Sequence, residues 1–344
     1  MDTAGTENPF LRFVQPMPKV LERAGFMQRF ADLDGVVLSY ARGPANGPPL
    51  VLLPAQMGTW LSYAPVMPRL AECFEVLAVE VRGHGSSSWT PGEYCWDSVG
   101  ADLALFLERV VQRPAIVSGN SSGGLLALWL AANASERVAA IVLEDAPVFS
   151  AEMPRFRDRD RFVYAGLERF VRLLGDRRHR RLADYFRGQE LPLSPRRVKR
   201  MPDWAVDLLD RAVRSHRRRH PDGPAGVGAW WLPRGMDELM RSLSMFDPDF
   251  ARAFVDGRFF GGFRHEAALR ATRCPVLVLH GRWHRSERYG LVGALDDEDV
   301  RRIVRLLPTA RVRRIGANHV LHRFKPAAFV RALTEFAAEL REDE

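Results

Sequence analysis

Ile116-Val117-Ser118-Gly119-Asn120-Ser121-Ser122-Gly123-Gly124 is the stretch on which the reading of this chain turns. Residues 115–118 form a short apolar run, and residues 122–133 carry apolar side chains at helical spacing. A residue set on a tight turn between a strand and a helix has a crowded backbone. Small residues two before and two after it relieve the crowding, and Gly119 and Gly123 hold those places around Ser121. The helix that follows directs its free N–H groups back toward the turn, where they favour developing negative charge. A Gly-Ser loop that merely reverses the chain would need neither the apolar strand before it nor the helix after it. Ser121 is therefore the candidate nucleophile.

Outward from this turn, the first 150 residues alternate strand and helix. Residues 28–31 and 36–41 flank Asp34-Gly35, a hairpin signal. Apolar runs at 50–53, 76–81, 115–118 and 139–143 lack strict polar alternation, as expected of parallel strands covered on both faces. Amphipathic stretches at 98–111 and 122–133 lie between them. The pattern breaks near Pro147, and to about Arg264 the chain is helical in tendency, Arg-rich and without a clear strand. Strand character returns at 275–280 and 311–315, and a helix at 326–339 opens on Pro326. The spacing predicts one α/β core in two parts, 1–147 and 266–344, interrupted by a helical segment at 148–265. No internal repeat is present.

A nucleophilic serine needs a base. His319, in Gly316-Ala317-Asn318-His319, follows the last predicted strand and so lies on the sheet edge that also carries the turn at Ser121. His322 is read as a packing residue.

These features resemble the α/β-hydrolase fold family over the whole chain outside the insertion. Arg82-Gly83-His84-Gly85-Ser86-Ser87 matches the family's Arg-Gly-x-Gly-x-Ser stretch after its fourth strand. Gly316, His319, His322 and Pro326 match its terminal Gly-x-x-His, second His and Pro. The resemblance implies a mostly parallel eight-stranded sheet flanked by helices, with an α-helical cap inserted after strand 6. It also implies an oxyanion hole. The register after Leu52-Leu53 puts the N–H of Gln56 at one donor position and that of Ser122 at the other. The family's usual His-Gly is replaced here by Pro54-Ala55.

The triad acid departs from the commonest arrangement, since Gly281-Arg282-Trp283-His284 offers no carboxylate after the seventh strand. A minority of the family places it at the end of the sixth strand, 24 residues after the nucleophile, which falls on Asp145. Glu144 beside it is the alternative acid, and Asp296, Asp297 and Glu287 also remain open. An Asp nucleophile, as in dehalogenases and epoxide hydrolases, is excluded because that position is Ser121.

The chemistry so implied is acyl transfer to water, with no metal and no organic cofactor. The expected substrate is a carboxylic ester or lactone with an apolar body. Hydrolysis of carbon–carbon bonds, and thioesterase or acyltransferase activity, use the same machinery and stay open. A non-catalytic small-molecule binding module is the alternative of another class, although its usual mark, loss of the Ser or His, is absent. Aromatic and Met residues of the insertion (Phe149, Phe156, Tyr164, Trp204, Trp230, Trp231, Met236, Phe246, Phe259, Phe260) divide between pocket lining and the insertion's own core, mostly the latter.

The net charge of +8 is concentrated. Residues 151–264 hold 25 basic against 16 acidic side chains, or +9, leaving −1 elsewhere. The clusters at 177–181, 196–200 and 217–219 read as a solvated face, and an anionic substrate or carrier is the other reading. No nucleic-acid-binding module surrounds them. No apolar run reaches the length of a membrane span. The polar N-terminus and the scattered Cys73, Cys95 and Cys274 suggest a cytoplasmic protein with free thiols. Oligomeric state is not readable.

Overall fold

The computed structural model describes residues 7–176, 181–228 and 234–342, the side chain of Arg234 excepted. Eight strands build the main sheet: β1 (Met27–Leu33), β2 (Val36–Arg42), β3 (Pro49–Leu53), β4 (Glu75–Glu80), β5 (Ala115–Asn120), β6 (Val138–Glu144), β7 (Val276–His280) and β8 (Arg311–Arg314). Their order across the sheet is β1-β2-β4-β3-β5-β6-β7-β8. β1 pairs antiparallel with β2, and β2 antiparallel with β4; every other pairing is parallel. The β1–β2 hairpin closes through Asp34 and Gly35 at φ 53° and 92°. Two positive φ values in succession suit the short-side-chain pair Asp-Gly in a type I′ turn.

The central strands are buried from end to end because side chains of alternate residues enter different cores. Val51, Leu53, Val117, Ile141 and Leu143 face a core built with helices Trp96–Phe106 and Ser122–Asn133. Leu50, Leu52, Ile116, Ala140 and Val142 face a second, built with helices Met67–Leu70 and Pro326–Glu342. Covering both faces removes the need for polar alternation, which explains the continuous apolar runs in the sequence.

Between β6 and β7 lie the helices Arg155–Asp158, Phe162–Leu174, Asp203–Arg219, Arg234–Ser244, Pro248–Val255 and His265–Ala271. The expectation of no strand here is corrected. Glu190–Pro192 pairs antiparallel with Val198–Arg200, and runs of three residues are too short to show a period of two. A second small hairpin, His284–Ser286 with Gly290–Val292, follows β7. Among the described residues no helix is long and apolar enough to cross a membrane. The three cysteines are free, Cys73 being exposed.

Candidate active site

β5 delivers the chain into the centre of the sheet's C-terminal edge, and Ser121 turns it into the next helix with φ 55° and ψ −121°. Positive φ is strained for a residue with a side chain. The surroundings enforce it. A Cβ on Gly119 would lie 2.1 Å from the carbonyl of Gly123, and one on Gly123 would lie 2.2 Å from the carbonyl oxygen of Leu53. Only residues without a side chain allow β5, the helix and the end of β3 to approach this closely. The Ser121 N–H is held by the carbonyl of Glu144 on the adjacent strand, at 3.0 Å.

β6 ends in two consecutive acids that serve different histidines. Asp145, at φ 42°, leaves the strand direction. Its Oδ2 lies 2.8 Å from Nδ1 of His319, and its Oδ1 accepts from the N–H of Gly281 at 3.1 Å. Glu144, fully buried, accepts instead from the backbone N–H of His322 at 2.9 Å and faces His322 Nδ1 at 2.9 Å. His322 stacks on Tyr63, with ring centroids 4.0 Å apart, and the Tyr63 hydroxyl donates to Leu53 O at 3.0 Å. Of the carboxylates open from sequence, then, Asp145 is the one beside His319, and Glu144 is committed to His322. Asp296 caps helix Asp297–Leu306 and pairs with Arg285; Asp297 accepts from Trp283 and Arg314; Glu287 pairs with Arg196.

Burial pushes the His319 imidazole toward the neutral form. The hydrogen bond and charge of Asp145, with the charge of Glu144, outweigh that and raise its pKa above the ordinary 6.5. Nδ1 is the nitrogen occupied by Asp145, so Nε2 is left for other work. Asn120, just before Ser121, donates through Nδ2 to Glu144 O at 3.1 Å and to His319 O at 2.9 Å. One side chain thus joins the ends of β5 and β6 to the loop carrying His319. Sequence reading passed over Asn120; it is the variable residue of the Gly-x-Ser step, and its contacts are long-range.

The loop after β3 departs from the sequence expectation in one respect. The Gln56 N–H is not free: it donates to the Ser122 hydroxyl at 2.8 Å. The next N–H, of Met57 at φ 64°, donates to Nε2 of His84 at 3.1 Å. His84 is buried, its pKa is lowered by burial to about 4, and its Nδ1 faces Arg82 O at 3.2 Å. A neutral ring with the proton on Nδ1 satisfies both contacts. The Arg-Gly-x-Gly stretch therefore braces the loop that replaces the usual His-Gly. The Ser122 N–H sits in the first turn of its helix, where no intrahelical acceptor is available.

Ser121, His319 and Gln56 line two connected spaces. One is an apolar pocket walled by Trp96, Leu125, Phe156, Phe254 and Leu291. The other is an open groove of about 910 Å³ under helix Phe162–Leu174. Of the insertion's aromatic residues singled out from sequence, Phe156 lines the pocket. Phe149, Tyr164, Phe246, Phe259 and Phe260 are buried in the core cluster, and Trp204 is exposed. Met236 packs against the same core, while Trp230 and Trp231 lie outside the described residues. Among the described residues no group of three or more His, Cys, Asp or Glu is placed to hold a metal ion.

The chain belongs to the α/β hydrolase fold family, whose sequence profile matches residues 48–283. It is 28% identical over 129 residues to 3-oxoadipate enol-lactonase 2 of Acinetobacter baylyi, a match covering 37% of this chain and 48% of that protein. To N-formylmaleamate deformylase of Pseudomonas putida it is 27% identical over 142 residues, covering 39% of this chain and 53% of that protein. The chain thus spans about half the length of these curated relatives. A solved structure described as a membrane phospholipase A, a bacterial virulence factor, shares the fold at a TM-score of 0.65 and 20% identity, over 94% of this chain and 89% of that one.

Proposed function

We infer that the chain is a serine hydrolase that cleaves a carboxylic ester or lactone through an acyl-enzyme. The observation that carries the reading is the 2.8 Å contact of buried Asp145 with His319, a residue that lines one cavity with the strained Ser121. In this mechanism His319 Nε2 takes the Ser121 proton as Oγ attacks the carbonyl carbon, while Asp145 holds the ring's tautomer and stabilises its charged form. The helix N-terminus supplies the Ser122 N–H to the developing oxyanion. Gln56 supplies the second N–H by exchanging the Ser122 hydroxyl for the oxyanion, since a charged acceptor outcompetes a neutral one. His319 then protonates the leaving group, and water activated by the same ring releases the acid.

The partial likeness to an enol-lactonase agrees with an ester-type bond, and the apolar walls suit a substrate with an apolar body. In this reading the helical insertion acts as a lid over the site. The test is labelling with a nucleophile-directed fluorophosphonate, followed by hydrolysis assays on ester and lactone panels. Wild type is labelled and turns over esters; Ser121→Ala is not labelled. Equal labelling of both proteins overturns the reading.

A further inference from the structure

The groove that reaches Ser121 and His319 has an unbalanced wall. Among the described residues five arginines line it, Arg161, Arg169, Arg172, Arg200 and Arg288, against two acids, Glu168 and Glu190. Three of the five are answered. Arg161 pairs with Glu168 at 3.2 Å, and Arg200 and Arg288 share Glu190. Arg169 and Arg172 are not answered: among the described residues no carboxylate lies within 4.0 Å of either guanidinium. They stand three residues apart on helix Phe162–Leu174, hence on one face of it.

Arg172 is exposed, whereas the surroundings of Arg169 differ from those of a solvated charge. Arg169 is half-buried and donates through Nε to the carbonyl oxygen of Tyr185 at 2.9 Å. That bond fixes the plane of the guanidinium, while its two terminal nitrogens make no hydrogen bond to the described residues. Burial, together with the nearby charge of Arg172, works against its positive charge and lowers its pKa. A partly desolvated guanidinium held in place beside a second cation is poised to gain from an oxyanion. The edge formed by the two terminal nitrogens can still recognise a carboxylate or phosphate bidentately.

We propose that Arg169 and Arg172 form a binding site for an oxyanion group, carboxylate or phosphate, on the substrate, so that the enzyme prefers anionic esters with an apolar middle. This rests on the hydrolase reading above. The reacting carbonyl sits at Ser121, and the charged end lies in the groove under helix Phe162–Leu174.

The test uses four esters of matched length ending in a neutral, a carboxylate, a phosphate or an ammonium group. The readout is the ratio of kcat/KM for each charged ester to that for the neutral one. Wild type should favour the carboxylate or the phosphate ester by about tenfold or more, the size of a charge-assisted hydrogen-bonded pair. Which of the two leads identifies the oxyanion. The ratio should fall toward one in Arg169→Gln/Arg172→Gln and stay at the wild-type value in Arg341→Gln, a control on the C-terminal helix. Wild type without a preference for either anion, or a ratio unchanged in the double variant, overturns the proposal.

A second measurement does not need turnover. Amide analogues of the same four compounds are titrated calorimetrically into Ser121→Ala, with and without the two Arg substitutions. Tighter binding of an anionic amide, lost in the Arg variant, supports the site even if no ester is hydrolysed, in which case only the hydrolase reading fails. Equal affinity for all four amides overturns the site while leaving the hydrolase reading intact.

Discussion

Glu144 and Asp145 are consecutive residues whose carboxylates hold two different histidines, His322 and His319. The change of direction is made by the backbone, which leaves β6 at Asp145 with φ 42°. One acid is enclosed beside Tyr63, and the other, also buried, backs the His319 ring that lines the cavity at Ser121. Substituting each should therefore have a different kind of effect.

Asp145→Asn should leave the fold intact and lower kcat by about 10³–10⁴-fold, because an amide no longer favours the required tautomer or the charged ring. Glu144→Gln should instead cost about 3 kcal/mol of stability, since it breaks a buried charged contact. The catalysis of its folded fraction should fall far less. Denaturant unfolding and active-site titration on both variants separate the two effects. Equal kcat losses at equal stability would contradict the assignment.

Activity should rise with pH along a limb whose midpoint lies above 6.5, because the base must be neutral and Asp145 holds His319 protonated longer than usual. The same raised pKa has the opposite sign for stability. Its contribution is complete below the unfolded value and is lost as pH rises through the folded one. Asp145→Asn removes the largest raising influence, so the residual activity should show its limb at lower pH. A pH profile of kcat/KM for both proteins checks this.

Ser122→Ala should lower thermal stability and raise kcat/KM. The hydroxyl accepts the Gln56 N–H at 2.8 Å in the resting site. Without it that donor is less well satisfied until an oxyanion arrives, so part of a cost of about 1–3 kcal/mol is recovered in the transition state. A fall in both quantities would show the hydroxyl to be a brace for the loop rather than a competitor for its donor.

Glu80 predicts a second pH dependence, away from the site. It is fully buried at the end of β4, accepting from Gln15 and from the Ser86 N–H, and burial raises its pKa to about 7. A carboxyl bound more tightly to its proton in the folded state loses stability as pH rises from about 4.5 to about 7. The unfolding midpoint should decline over that window in wild type, and the decline should flatten in Glu80→Gln.

What the sequence made legible was local. Asp34-Gly35 predicted its hairpin because the turn chemistry sits in two adjacent residues. The glycines around Ser121 predicted the elbow because the crowding they relieve lies within one turn of chain. The partner of His319 was not decidable in the same way. Asp145 is 174 residues distant, and whether it or Glu144 faces the histidine depends on a single backbone torsion. The partners of the arginines were hidden for a related reason. Visible clusters contain Arg196, paired with Glu287, and Arg181, paired with Asp210, both far away in sequence. Arg169 and Arg172, without a carboxylate partner among the described residues, stand apart from any cluster, and residues 177–180 lie outside the described residues.

Asn120 has a consequence for how such a protein can change over evolutionary time. Its amide ties the ends of two strands to the histidine loop, so the alignment of the reacting groups is stored in the sheet edge. The helices between β6 and β7 contribute walls and charge but none of these ties. They are therefore free to be rebuilt for new substrates while the chemistry beneath them is inherited unchanged.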